Sequence, residues 1–272
     1  MSGTTTGTVA GAPAAAARGG GQSAGRPAGR LGGPRPASDR AGGPGGPAAA
    51  GTVPTGPTWG DDAYARALRA GAGPLFLRRP DGWLLPLDLD RWLADADATD
   101  ESVLAQCSGA VLDIGCGPGR LVAALSGRGH RALGVDVSPA AVARTVLRGG
   151  AALCRSVFHP LPEEGGWNTV LLLDGNIGIG GDPAALLHRV AALLAPGGSL
   201  VAEAAAVDVD ERCEVRLDDG RGGVGSPFPW ARVGPAALRR HAGRAGWTTT
   251  RAWHHGDRHF LQLRPAVGGL PA

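Results

Sequence analysis

The chain contains no lysine: all 27 of its basic residues are arginine. So uniform a choice resembles coding bias towards GC-rich codons, and with a net charge of only +3 it removes the pI of 9.0 as an argument for a phosphate-binding surface. Residues 1–58 hold five arginines against one aspartate, so the remainder of the chain is close to neutral. Nucleic acid is not an expected partner. Cysteine is also scarce. Cys107, Cys116, Cys154 and Cys213 form no C-x-x-C pair and have no histidine at matching spacing, which argues against a zinc site or any other metal. Scattered free thiols suit a reducing cytoplasm, the expected location. No apolar run reaches the ~18 residues of a spanning helix, so no membrane association is expected. The alanines at 14–17 lack a basic segment before them and a leucine-rich core, so a secretory signal is not expected either.

Aromatic residues make up 4% of the chain, and none falls in residues 1–57, where Gly, Ala, Pro, Ser and Thr dominate. Such a stretch cannot bury enough surface to offset the entropy of ordering, and a disordered tail is expected over 1–57. Order should begin near Trp59. Residues 61–70 open with acids suited to a helix N-terminus and put Tyr64, Ala67 and Leu68 on one stripe. With residues 75–93, whose last part reads as helix, they form an expected N-terminal helical extension over 58–102. The main domain is expected over 103–266.

What the sequence does contain centres on residues 111–120, VLDIGCGPGR. An apolar run ends in Gly115, Gly117 and Gly119, after which Leu121, Val122, Ala124 and Leu125 recur at helical spacing. This reads as strand, glycine loop and helix, an arrangement that brings backbone N–H groups and a helix N-terminus to a ligand. The spacing is G-x-G-x-G, with Asp113 two residues ahead of the first glycine and Arg120 where a dinucleotide loop reading G-x-G-x-x-G has its last glycine. A second apolar run ends in Asp136, a carboxylate placed to accept hydrogen bonds from ribose hydroxyls.

Further strands read at 151–154, 169–174 and 199–204, with helices at 139–147 and 183–194 between them. This alternation predicts parallel β-α-β units with helices on both faces and ligands beyond the carboxyl ends of the strands. Asp113, Asp136 and Asp174 all fall at such ends. Asp182-Pro183 supplies a helix N-cap and first turn. Residues 213–217 read as a strand of an inserted hairpin, and a helix at 235–244 precedes two strands joined by a turn at His255-Gly256-Asp257.

VLDIGCGPGR followed by GVDVSPAAV, with LLAPGGSLVAE further on, resembles the class I S-adenosylmethionine-dependent methyltransferases. The resemblance spans about residues 103–265. It implies an α/β, Rossmann-like doubly wound seven-stranded sheet, mostly parallel with a C-terminal antiparallel hairpin, and S-adenosyl-L-methionine as cofactor. Carried over, the glycine loop and its flanks (Asp113, Ile114, Gly115, Cys116, Gly117, Gly119) hold the methionine part of the cofactor. Asp136 and Val137 hold the ribose. Asp174, Gly175 and Asn176 lie beside the departing methyl group. Many relatives have an acid after the third strand that bonds the adenine amino group, whereas residues 155–160 read RSVFHP; Ser156 or backbone groups near Val157 stand in.

Methyl transfer is a displacement at a sulfonium carbon, so alignment and exclusion of water are the main tasks and no catalytic residue is named. His159 is the histidine nearest the cleft rim in sequence. The acceptor is expected to be a small molecule, a hydrophobic or aromatic metabolite, with Trp83, Trp92, Phe228 and Trp230 as pocket or core residues. The alternatives are a cofactor-binding regulatory module without transfer activity and, against the C-terminal hairpin, an NAD-dependent oxidoreductase.

Overall fold

The computed structural model describes residues 62–266; the tail expected at 1–57 lies outside them. α1 (Ala63–Ala70) is capped by Asp62, whose carboxylate accepts from the Ala65 N–H at 2.8 Å, and ends at Gly71 in the left-handed conformation. The extension expected to be helical turns to strand after this helix. Residues 76–78 and 84–86 form β1 (Phe76–Arg78) and β2 (Leu84–Pro86), a hairpin closed by the Asp81 carboxylate accepting from Trp83 N–H. Their extended form comes from a partner far along the chain, because Leu77 pairs with Leu217 of a later strand. α2 (Leu89–Leu93) and α3 (Ala98–Leu104) restore helix, the second behind a capping box of Asp97 and Asp100.

The alternating part runs β3 (Val111–Ile114), α4 (Arg120–Gly127), β4 (Ala132–Asp136), α5 (Pro139–Leu147), β5 (Ala152–Cys154), β6 (Trp167–Leu172), α6 (Pro183–Leu193) and β7 (Leu194–Ala204). β8 (Asp210–Asp218) and β9 (Phe228–Val233) then form an antiparallel hairpin. α7 (Pro235–Arg244), β10 (Trp247–His255) and β11 (Arg258–Pro265) complete the chain. The seven-stranded sheet has the order β10-β11-β7-β6-β3-β4-β5, parallel except that β11 runs antiparallel to both neighbours. Its order reverses between β3 and β6, so the loops leaving these two strands open side by side at the carboxyl edge. No helix of the described residues is long and apolar enough to cross a membrane.

Strand periodicity divides the core between the two faces of this sheet. Leu112 and Ile114 of β3 and Val170 and Leu172 of β6 join one cluster, while Val111 and Leu171 join the other. A third, smaller cluster belongs to a four-stranded antiparallel sheet, β2-β1-β8-β9, in which Leu77, Val215, Leu217 and Phe228 are buried.

Candidate active site

The glycine loop leaves β3 with Gly115 at φ +71°, where any Cβ would in addition fall 2.5 Å from the Asn176 side chain. That close approach has a purpose. Asn176 Nδ2 donates to the carbonyls of Ile114 (2.9 Å) and Gly115 (3.0 Å), tying the loop after β6 to the loop after β3. Gly119 packs instead against Thr145, whose hydroxyl donates to the Gly117 carbonyl at 3.0 Å. At the end of β4, Asp136 accepts from Gly117 N–H (3.0 Å) and from Ser138 N–H (2.8 Å), one bond to each carboxylate oxygen. Burial pushes its carboxyl up to about 6, against the pull of those backbone donors.

Around these groups lies a cavity of about 670 Å³, within the usual range for small-molecule and cofactor sites. Ile114, Gly115, Cys116, Gly117, Asp136, Val137, Ser156, Val157, Asp174 and Asn176 all line it. Asp113, Gly119 and Gly175 do not. Asp113 shares a strand face with Val111, pointing with it away from the cavity wall, and is 3% exposed with an unpartnered Oδ2. Burial raises its carboxyl to about 7, although the Arg120 charge opposes that rise. Gly175 backs onto the Trp230 ring. Of the four aromatic residues expected in pocket or core, Trp92, Phe228 and Trp230 line the cavity. Trp83 does not, being stacked under the guanidinium groups of Arg79 and Arg232. His159 reaches the rim.

The remaining wall could not be read from spacing. Tyr64 on α1 places its hydroxyl over Gly117 and meets Trp92 edge to face, with ring centroids 6.1 Å apart. The N-terminal segment therefore covers the glycine loop. Trp92 Nε1 and Arg91 Nη1 are buried donors without a partner among the described residues. Leu77, Leu217, Phe228 and Trp230 form a roof from the small sheet.

Beneath the loops lies a buried ion cluster. Arg120 donates to both oxygens of Asp100 (2.8 and 3.0 Å) and to Asp174 at 2.8 Å. Arg258 clasps both oxygens of Glu203 at 2.8 Å each and reaches Asp100 and Asp174 at 3.0 and 3.2 Å. Arg91 adds a contact to Asp174 at 2.7 Å. Three carboxylates thus meet three guanidinium groups, and each charge is compensated. Burial alone would raise the Asp174 carboxyl, yet Arg120, Arg91 and Arg258 outweigh it and hold the group below the usual carboxylate range. Asp174 also sits at φ +56°, a conformation uncommon outside glycine, so its position is set by these bonds rather than by local preference.

A glycine loop at the switch point and a carboxylate one strand over are shared with dinucleotide-binding sheets, whereas the antiparallel strand β11 and Arg120 in place of the final dinucleotide-loop glycine are not. The family described as methyltransferase domain matches residues 89–251. The chain belongs to this family. A SAM-dependent methyltransferase from Bacteroides fragilis, in complex with S-adenosyl-L-homocysteine, is 22% identical to this methyltransferase. The match covers 75% of this chain and 93% of that one, with a TM-score of 0.63. The CcbJ methyltransferase from Streptomyces caelestis is 16% identical, over 77% of this chain and 98% of that one, with a TM-score of 0.53. Likeness at these identities establishes the fold of the methyltransferase. None of the curated proteins matches the chain.

Proposed function

We propose that this methyltransferase moves the methyl group of S-adenosylmethionine to a small-molecule acceptor. The observation that carries the reading is Asp136: both its oxygens are oriented by backbone donors, and it faces the cavity beside the glycine loop. A carboxylate so held keeps lone pairs for the two hydroxyls of a ribose. The residues present fit the rest of the cofactor. Bare backbone at Gly115 and Gly117 leaves room for its amino-acid end, and Trp92, which lines the same cavity, has an Nε1 donor in want of an acceptor. Ser156, Val157 and Phe158 would border the adenine, with no carboxylate among residues 155–160.

Bound there, the cofactor supplies an activated methyl group on sulfur. The chain's own contribution is to hold, align and exclude water. Asn176 joins the two loops that border the reacting end, and the roof of Leu77, Leu217, Phe228 and Trp230 shields it. Calorimetric titration with S-adenosylmethionine, S-adenosylhomocysteine and NAD tests the reading. Binding of the first two and not NAD is expected, and binding of NAD alone would overturn it.

One observation favours a second reading, a cofactor-binding module that transfers nothing: Asp174 is committed to three arginines and is not free to touch an acceptor. Formation of S-adenosylhomocysteine from S-adenosylmethionine in the presence of an acceptor pool would separate the two, since the module forms none.

A further inference from the structure

The cavity has two chemically distinct ends. Its ionisable side chains are Tyr64 on α1, Cys116 on the glycine loop, Arg120 at the start of α4, Asp136 and Cys154 at the ends of β4 and β5, Arg155 and His159 beyond β5, and Asp174 beyond β6. The wall built by β1, β8 and β9 contributes Leu77, Leu217, Phe228, Pro229 and Trp230, and no charge. Its two halves come from opposite ends of the domain, paired Leu77 to Leu217.

Trp230 is the element that connects this wall to the reacting end. A Cβ on Gly178 would fall 2.8 Å from its indole ring and 2.1 Å from the Ala231 carbonyl, so the absence of a side chain at Gly178 is what lets the ring lie against the turn Asn176–Gly178. A bridge between Ile179 and Trp230 fixes the backbone there. Phe228, two residues earlier on the same strand face, meets Trp230 edge to face at 90° with centroids 6.1 Å apart. This pair presents ring surface beside Asp174 and Asn176.

Charge decides what can occupy the space. An ammonium brought under the roof finds Asp174 as the adjacent carboxylate, and three arginines already saturate it. Attraction of a cation to the Trp230 face is weaker than the cost of burying an unpaired ammonium. An uncharged ring meets no such cost and gains offset or edge-to-face contact. Resting on the methyltransferase reading above, we propose that the acceptor is an uncharged, planar ring compound and that Trp230 selects it.

The test uses the full chain saturated with S-adenosylhomocysteine. Calorimetry compares naphthol with naphthylmethylamine, which carries the same rings on a protonated amine. Naphthol is expected to bind at least about tenfold more tightly. Trp230→Ala should lose most of that binding and Trp230→Phe should keep it, each measured with S-adenosylhomocysteine at a concentration shown to saturate that variant. Equal or tighter binding of the amine, no binding of naphthol, or naphthol binding indifferent to Trp230→Ala would overturn the proposal. If S-adenosylhomocysteine itself fails to bind the unaltered chain, the methyltransferase reading falls instead.

Discussion

Asp136, half-buried at the cavity, and Asp113, fully buried, are both carboxyls raised above their ordinary range, but they have different work. Asp136 keeps two backbone donors and faces the cavity, so its ionised form is the one a ribose would need. Asp136→Ala should weaken binding of S-adenosylhomocysteine by about 1.5–3 kcal/mol, the range for a hydrogen bond to a charged group. Calorimetry reads the change, and unaltered affinity in a folded variant would remove Asp136 from the site. Because burial lifts its carboxyl to about 6, the same affinity should fall as the pH drops below that value, by up to about tenfold per pH unit. Asp113 makes no such contact. With its carboxyl raised to about 7, the folded state binds more protons than the unfolded chain between the ordinary carboxylate range and pH 7. Its contribution to stability is therefore present at low pH and lost as pH rises through about 7. Asp113→Asn copies the protonated form and should raise the melting temperature most at pH 8, less at pH 5 and little near pH 3, below the ordinary carboxylate value. An equal shift at all three pH values would rule out the charge as the cause.

At the scale of elements, the ion cluster ties together six segments of the chain. Asp100 comes from α3, Arg120 from the start of α4, Asp174 from the turn after β6, Glu203 from β7, Arg258 from β11 and Arg91 from α2. Buried charges of this kind add little as a set, yet deleting one member strands the others in a low dielectric. Arg258→Ala should cost about 3–5 kcal/mol in urea unfolding, since it leaves Glu203 without its bidentate partner. Lysine at the same position should not restore the loss, because a point charge cannot serve both oxygens of Glu203 together with Asp100 and Asp174. The cluster also explains why Arg120 occupies the place of the final glycine in a dinucleotide loop. Its side chain is a buried strut bonded to Asp100 and Asp174.

In the whole molecule, two sheets of different character enclose the cavity. The large sheet carries the main core, and Leu172 at its centre is fully buried. Leu172→Ala should destabilise the fold by about 2–5 kcal/mol in the same unfolding measurement, and a value under about 1 kcal/mol would mean that the surrounding core collapses into the space. Local signals determined this sheet. The apolar runs around Leu112 and Leu171, the cap at Asp182 and the glycines after β3 act within a few residues, and a sequence states such information directly. Asp136 and the loop at Asp174 to Asn176 were legible for the same reason, as residues at strand ends in a parallel sheet. Of the small sheet only β8 was legible, as the hairpin strand read at 213–217. Residues 76–78 read as part of a helical extension because nothing local marks them as a strand, and their hydrogen-bond partners lie some 140 residues onward at Arg216 to Asp218. The roof over the cavity, the bonds that hold Asp174 away from an acceptor and the ring surface of Trp230 all depend on such distant pairings. By itself the sequence determined the glycine loop, the alternation of strands and helices in the large sheet and the family; tertiary structure alone decided what closes the cavity and which charges remain free inside it, because those outcomes are set by contacts between segments whose separation no spacing records.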